Sequence, residues 1–596
     1  MVDIKPKPLA KRITKQINNT QKQAVILTNA TEDHIERHLF KRFHKLFKIK
    51  TFLATWVGVF SVITLGLLWQ LFAQFNYFQT LQPVPGGIYN EGILGNYTNI
   101  NPIFATNDVD TSLSRLVFAS LLRVNNNGTI SYELASNLTN NSTGTEYTVT
   151  LKNGLTWQDG KPLTAADVLY TYQLIQNPDV NSPLRSNFEG VTISTKGNTI
   201  IFDLPNALAS FPDYLNVGII PKHLLSDIAP SSLRSANFNT TNPVGSGPFS
   251  FGSMAVNGSD PSNAEVQISL KPFDKYALGK PKLDLFMVHA YASKDLLVND
   301  LIGGKLNGAE GLSVVPSKIA KNNKFNTNDL ILNAGTYLFL RTSNSILSDS
   351  KVRGAIAQAI DVNSIISNLG YSTNKVDEPF LTYQREYNSK YVQGNSNVAA
   401  ARMALQADGW SLDGNSVLSK NNQELSFNLT VSSSDEYINV ANQIKSDLKN
   451  VGIQVNLLVL QPQEFSSALE YHQYDSVLYG IGIGADPDVY AYWGSDQFNL
   501  ATLKWTNLSE YSNKTVDSAL SNGRTRLDPL LRSVKYEPFL AAWQSDNPAV
   551  GLYQPRDLYI TKGKVFGLST SNLDSPADRF MGVNNWEINE SKVTLN

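Results

Sequence analysis

Tyr147, Val149 and Leu151 alternate with polar neighbours, the period of a half-buried strand. Asp159-Gly160 follows, a pair that tolerates positive φ where a chain reverses, and Thr164 stands three residues before Asp167, the spacing of an N-cap and its reciprocal carboxylate. The pattern predicts a strand, a tight turn and a capped helix. Further on, Asp349 precedes Val352, Ile356 and Ile360 at helical spacing, and Asp361 opens a second helix that Gly370 ends. Between Glu436 and Asn450, Val440, Ile444 and Leu448 share a helix face; Gly452 stops that helix, and Ile453, Val455, Leu457 and Val459 then alternate as a strand. Helix, turn and strand in this order mark an α/β protein. Asn/Ser/Thr/Gly-rich stretches near 136–146, 235–247, 255–263 and 411–423 predict surface loops.

One segment fits neither period. No charged residue occurs between Lys50 and Glu91, and Thr51 to Phe75 is nearly all apolar, with Gln70 and Gln74 its most polar members. Some 23 helical residues rise about 34 Å, enough for a hydrocarbon core of roughly 30 Å. A cleaved secretory leader has an apolar core of only about 7–15 residues and a small-residue cleavage site. Ala73 is flanked by Phe72 and Gln74 and supplies no such site. Residues 51–75 are therefore expected to be a retained transmembrane anchor.

Charge gives that segment a direction. Of the chain's 50 Lys and Arg and 51 Asp and Glu, residues 1–50 hold 12 and 4, leaving 38 against 47 in the remainder. Lys41, Arg42, Lys45, Lys48 and Lys50 directly precede the span, so the positive-inside rule puts the N-terminus in the cytoplasm and the large remainder outside, extracellular or periplasmic. After Thr31, Glu32 and Asp33 favour a helix start, and Ile35, Leu39, Phe43 and Phe47 recur at four-residue steps. This reads either as an interfacial helix on anionic lipid or as a solvated topology signal. Residues 1–30 show little pattern and are expected to be disordered. The chain has no cysteine, which excludes disulfides, thiol catalysis, thiolate metal sites and a lipid anchor on a cysteine. The external part is far too large for one core.

The string Gly154-Leu155-Thr156-Trp157-Gln158-Asp159-Gly160-Lys161-Pro162-Leu163-Thr164-Ala165-Ala166-Asp167-Val168 closely resembles the signature of the extracellular solute-binding proteins of the peptide/nickel type, family 5, which deliver ligands to ATP-binding cassette importers. Gly86-Gly87, Asn99-Ile100-Asn101-Pro102, Asn127-Gly128, Gly245-Ser246-Gly247-Pro248-Phe249, Tyr276 to Pro281, Asp349 to Arg353, Ala407-Asp408-Gly409-Trp410 and Asp486-Pro487-Asp488 resemble further family features in the same order. The resemblance implies a two-lobe, cluster C fold of the periplasmic-binding-protein kind with an inserted extra domain, here preceded by one transmembrane helix. By analogy, residues 84–127, 202–335 and 546–596 would form lobe one, 128–201 the inserted domain and 336–545 the other lobe, with strands near Thr336–Arg341 and Ala549–Tyr553 as the hinge. It also implies a peptide or small-molecule ligand, importer permease subunits and through them an ATPase, and a monomer without cofactor, metal or nucleic acid.

The run Tyr479-Gly480-Ile481-Gly482-Ile483-Gly484-Ala485-Asp486-Pro487-Asp488-Val489-Tyr490 is the best candidate for ligand contact, because glycines let a ligand approach the backbone. Its spacing is wrong for a dinucleotide fingerprint, and Pro487 interrupts the helix start that such a site requires. Asp486 and Asp488 read as ligand groups or as caps of the next helix; Tyr490 and Trp493 read as cleft lining or as core. Peptide binders of this family carry an aspartate four positions before the proline of this motif, where it pairs with the peptide's amino terminus. Ile483 stands there, so Asp486 or Asp488 takes over or the ligand lacks a free amine at that point. Tyr553 matches a position where the family often presents an aromatic. Tyr337 is a further candidate, and Arg341 could meet a ligand carboxylate or form a surface ion pair.

Catalysis finds no motif. Of six histidines, His34, His38 and His44 lie in the tail and His223, His289 and His472 are scattered; there is neither a His-Glu-x-x-His run nor a Gly-x-Ser-x-Gly elbow. Metal or haem uptake would have to use a chelator carried by the ligand. The alternative to import is a receptor or scaffold that passes a closure signal through the anchor to the basic tail.

Overall fold

A computed structural model describes residues 50–594 apart from 78, 126–128, 259, 413–415, 500–503 and 570–572. The expectations for residues 1–47, and the Asn127-Gly128 of the family pattern, lie outside the described residues. The chain divides into two compact units, residues 1–82 with 590–596, and Pro83–Asn589. In the first, the helix Lys50–Tyr77 contains Phe52–Gln74, a stretch of mean hydropathy 1.9 with no buried residue that is long and apolar enough to cross a membrane. Just beyond it, the strand Gln79–Val84 pairs with Asn589–Thr594 in a two-stranded ribbon.

In the second unit, a seven-stranded sheet runs in the spatial order Phe325–Ile331, Arg556–Lys562, Gly308–Glu310, Ile88–Leu94, Leu285–Tyr291, Glu265–Pro272 and Phe249–Asn257. Ile88–Leu94 lies parallel to both its neighbours. A five-stranded sheet runs Gln454–Leu460, Ser426–Ser432, Ser476–Gly482, Ala334–Leu340 and Ala549–Tyr553. A four-stranded antiparallel sheet, Ala135–Asn140, Glu146–Leu151, Thr199–Asp203 and Thr192–Lys196, is inserted in the chain between the first two strands of the largest sheet, Ile88–Leu94 and Phe249–Asn257. This is the two-lobe cluster C architecture with its extra domain. Leu332-Asn333 and Gln554-Pro555 carry the chain between the seven- and five-stranded sheets, once in each direction.

Local chemistry explains most of the elements. Glu146–Leu151 buries alternate residues; Gly160 takes φ +87 in the turn, and the Asp167 carboxylate accepts from the Thr164 amide at 2.9 Å, beginning the helix Ala165–Gln176. Asp349 and Asp361 cap the helices Ser350–Ala359 and Val362–Asn368 through the amides of Lys351 and Ser364. The helix Asp435–Lys449 ends before Gly452, at φ +83, and Val455 then faces the core. Val459 does not: it is 44% exposed, because Gln454–Leu460 is an edge strand whose far end lies beyond its cover.

Two of the expected loops are strands instead. Residues 136–140 belong to an edge strand with mostly exposed side chains, and 411–424 includes a small three-stranded sheet, Ser411–Leu412, Leu418–Lys420 and Gln423–Glu424. Strand Phe249–Asn257 likewise reaches into the stretch expected to be a loop from 255. Polar composition identifies a surface, but the backbone of an edge strand can pair on one side while its side chains face water.

The seven-stranded sheet is fastened to the C-terminal segment by a buried ion pair. Glu91 accepts from Arg579 Nε at 3.0 Å and Nη2 at 2.9 Å, and from the Tyr559 hydroxyl at 2.7 Å; neither charged side chain has exposed surface. Losing the guanidinium would strand a carboxylate in the interior. Arg579→Met is therefore expected to cost about 3–5 kcal/mol in urea denaturation, and Glu91→Met in the same background to recover much of that loss.

Candidate functional site

The two connections lie side by side. Leu332 N–H donates to Pro555 O at 2.9 Å, and Gln554 Nε2 donates to Leu332 O at 3.0 Å. Asn333, 1% exposed, uses every polar group it has. Its amide donates to Leu573 O at 2.7 Å and its side chain to Asp574 at 2.6 Å. Its side-chain oxygen accepts from the Tyr383 hydroxyl at 2.5 Å, and its carbonyl accepts from the amides of Ile483 and Gly484 at 2.9 Å each. One asparagine thus binds the glycine-rich run, Tyr383 and Asp574 around the crossing.

The glycine run is part strand. Ser476–Gly482 pairs antiparallel with Ala334–Leu340, setting Gly480 opposite Thr336 and Gly482 opposite Ala334. A Cβ on Gly480 would lie 3.1 Å from the Tyr437 hydroxyl oxygen, and Gly484 turns the chain at φ +81. Gly482 is different: it is exposed, an added Cβ would meet nothing within 4 Å, and its carbonyl accepts from the Tyr492 hydroxyl at 2.8 Å. Tyr437, Tyr479 and Tyr492 keep partial exposure, and Tyr383 is exposed. Burial nonetheless pushes the Tyr437 and Tyr492 phenols up, the latter to about 12.

The structure separates the residues singled out in the sequence. Of the glycine-rich run, the amides of Ile483 and Gly484 meet Asn333, while Gly480 and Gly482 lie opposite Thr336 and Ala334 in the adjoining strand. Ile483 contributes only backbone there, since its side chain is buried in the aromatic core. Asp486 pairs with Arg532 Nη2 at 2.8 Å, whose Nε also binds Glu386 at 2.7 Å. Asp488 accepts from Arg524 at 2.6 Å and from the Tyr490 amide at 3.3 Å, and the Arg524 guanidinium lies 4.6 Å above the Tyr490 ring. Both carboxylates are thus held by arginines.

Tyr337, Trp493 and Tyr553 are wholly enclosed. Trp493 packs edge-on against Tyr337 and Trp543, and the Tyr553 hydroxyl donates to Glu436 at 2.8 Å. Arg341 lies at the other end of its strand from Gly482, donating to His472 O at 2.9 Å. Asn333, Tyr383, Tyr437 and Tyr492 were not singled out in the sequence. Asn333 lies three residues before the hinge strand expected near Thr336–Arg341, which is the one local sign of it.

A family described as bacterial extracellular solute-binding proteins, family 5 middle region, matches residues 129–500. The oligopeptide-binding protein AppA of Bacillus subtilis is 25% identical over 493 residues, covering 80% of this chain and 88% of that protein. Protein XP55 of Streptomyces lividans is 27% identical over 458 residues, 73% of this chain and 78% of that one. Among solved structures, AppA of Bacillus subtilis with a nonapeptide superposes with a TM-score of 0.69 at 23% identity, over 85% of this chain and 100% of that one. NikZ of Campylobacter jejuni with Ni(L-His) gives 0.70 at 22% identity, over 84% and 99%.

Gly482→Trp is expected to block the glycine-rich run and abolish ligand binding while leaving the melting temperature of the empty protein nearly unchanged, since the position is open; calorimetry and thermal denaturation check both halves. A second expectation concerns Glu378, whose carbonyl accepts from the Tyr337 hydroxyl at 3.0 Å. Burial pushes its carboxyl up to about 9 against the pull of the Asn388 amide. The unfolded chain ionises near pH 4.5, so the folded protein loses stability as pH rises from there towards 9. Glu378→Gln, which imitates the protonated acid, should therefore melt several degrees higher than the parent at pH 8 and no higher at pH 4.

Proposed function

The chain belongs to the bacterial extracellular solute-binding proteins of family 5, and on that premise we propose that it is the membrane-anchored substrate-binding protein of an ATP-binding cassette importer, capturing oligopeptides or similar small solutes by closure of two lobes. The observation that carries this reading is the double crossing, where two connections join the seven- and five-stranded sheets side by side and the glycine-rich run meets Asn333. The lobes are built on the seven- and five-stranded sheets, and the hinge is Leu332-Asn333 with Gln554-Pro555. The inserted domain corresponds to about 128–201, and the outer segments to 84–127, 202–335 and 546–596 against 336–545.

A ligand favours closure only through contacts it makes with both sides. Closing also removes water, which strengthens each polar contact that remains. At Gly482 an extended peptide backbone can come close to the strand edge, as in strand addition. AppA, solved with a nonapeptide, is a precedent for such a ligand, and NikZ with Ni(L-His) for a smaller one. The buried Ile483 puts no charge at the place where peptide binders of the family meet an amino terminus. This favours ligands held mainly by their backbone.

The helix over Phe52–Gln74 is the anchor, with the basic tail in the cytoplasm and the sheets outside, where the closed form meets a permease coupled to an ATPase. Full-length protein purified in detergent and then denatured should release peptides or comparable solutes, seen by mass spectrometry, in near-stoichiometric amount. Release of nothing, together with no heat on titration with an oligopeptide library, would reject the reading.

A further inference from the structure

The two sides of the protein meet again away from the crossing. The helices Lys514–Arg524 and Pro529–Asp546 belong to the segment 336–545, and the short turn between them, 525–528, carries Leu527. Leu527 packs against the hydrophobic core of the other side, which includes Tyr147, Phe202 and Phe211. Its Cγ and both Cδ atoms stand 3.2–3.3 Å from the point that a Cβ on Gly144 would occupy, so the seat exists because residue 144 has no side chain. One backbone bond accompanies the contact: Ala209 N–H donates to Arg524 O at 2.9 Å.

Each half of the contact is held by its own side. Around the seat, Gly144 turns the chain at φ +71, and Asn141 Oδ1 accepts from the amides of Thr145 at 3.0 Å and Glu146 at 3.2 Å. The Tyr147 hydroxyl donates to Leu208 O at 2.8 Å, which fixes the backbone beside Ala209. Across from it, the Asp528 carboxylate accepts from the Leu530 and Leu531 amides, and Arg526 N–H donates to Gly523 O at 3.0 Å. A turn tied at both ends presents Leu527 with little conformational entropy left to lose. Arg524 joins this turn to the end of the glycine-rich run, since its guanidinium holds Asp488 at 2.6 Å while its carbonyl takes the Ala209 bond.

Resting on the two-lobe reading above, we propose that Leu527 is a rim latch: seated on Gly144, it holds the two lobes together in the absence of ligand. A bound solute favours closure only through contacts with both sides. Here the chain supplies one such contact itself, so part of the closing free energy is independent of what the cleft holds. Parting the lobes returns Leu527, half-buried in the latch, to water. The apolar area involved corresponds to roughly a fivefold to tenfold change in the closed-to-open ratio. Closure at the rim also sets the position of Asp488, because the residue that holds it is the residue that bonds across the gap.

The chain has no native cysteine, so Ser194→Cys with Lys535→Cys, both exposed and on opposite sides of the contact, takes two spin labels cleanly in dialysed full-length protein in detergent. Double electron–electron resonance without added ligand should show a short-distance population in the parent. Leu527→Ser should lower the ratio of short to long distances about fivefold or more, and Leu527→Met, which keeps the apolar volume, should retain it. If circular dichroism shows that Leu527→Ser does not fold, Leu527→Ala is read in its place. A purely structural leucine would lower the melting temperature and leave the distances alone. A parent found wholly at the long distance, or a distribution that the serine and alanine variants leave unchanged, overturns the proposal. Because the readout is free of ligand, a protein that releases solute on denaturation but whose distances ignore these substitutions refutes this inference alone. One whose distances shift as expected yet which neither holds nor binds solute refutes the functional reading alone.

Discussion

Two segments of the chain pass between the large sheets of this protein in opposite directions, each leaving a strand of one sheet and entering a strand of the other. A single connection would let the two sheets swivel freely. Two, bonded to each other through Leu332, Gln554 and Pro555, leave bending across the pair as the easy motion. Asn333 sits on that line with all its polar groups engaged, so any bend must exchange some of those bonds or carry the glycine run and Asp574 with it. A buried asparagine left unpaired costs on the order of 1–3 kcal/mol, which makes a few discrete arrangements more natural than a continuum.

Much of the local structure was legible because its causes are local. The capping carboxylates of Asp167, Asp349 and Asp361, the turn glycines 160 and 452, and the face formed by Val440, Ile444 and Leu448 each act within about four residues. The family pattern carried what periodicity could not, namely that the two largest sheets draw strands from distant parts of the chain. The expected loops at 136–146 and 411–423 fell short for a physical reason. Hydrogen bonding along an edge strand is independent of side-chain polarity, and residues 136–140 keep their ladder on one side while exposing Asn and Thr on the other.

The site was legible only in outline. Glycine spacing identified the run at 480–484, but nothing in the sequence distinguishes Gly480, packed against Tyr437, from Gly482, which is open. Tyr337, Trp493 and Tyr553 have the composition of cleft aromatics and the environment of core ones; Trp493 and Tyr492 are adjacent in the chain, yet the first is enclosed and the second reaches Gly482. Which residue of a short helix is enclosed depends on the packing of Phe339, Phe539 and Trp543, residues scattered over two hundred positions.

The apolar helix Lys50–Tyr77 bears on how often the protein meets a partner. If it is seated in a bilayer, the rest of the chain diffuses with that membrane and not through the bulk. Encounters with any complex in the same membrane then become local search, at an effective concentration far above what the same molecule would reach after release.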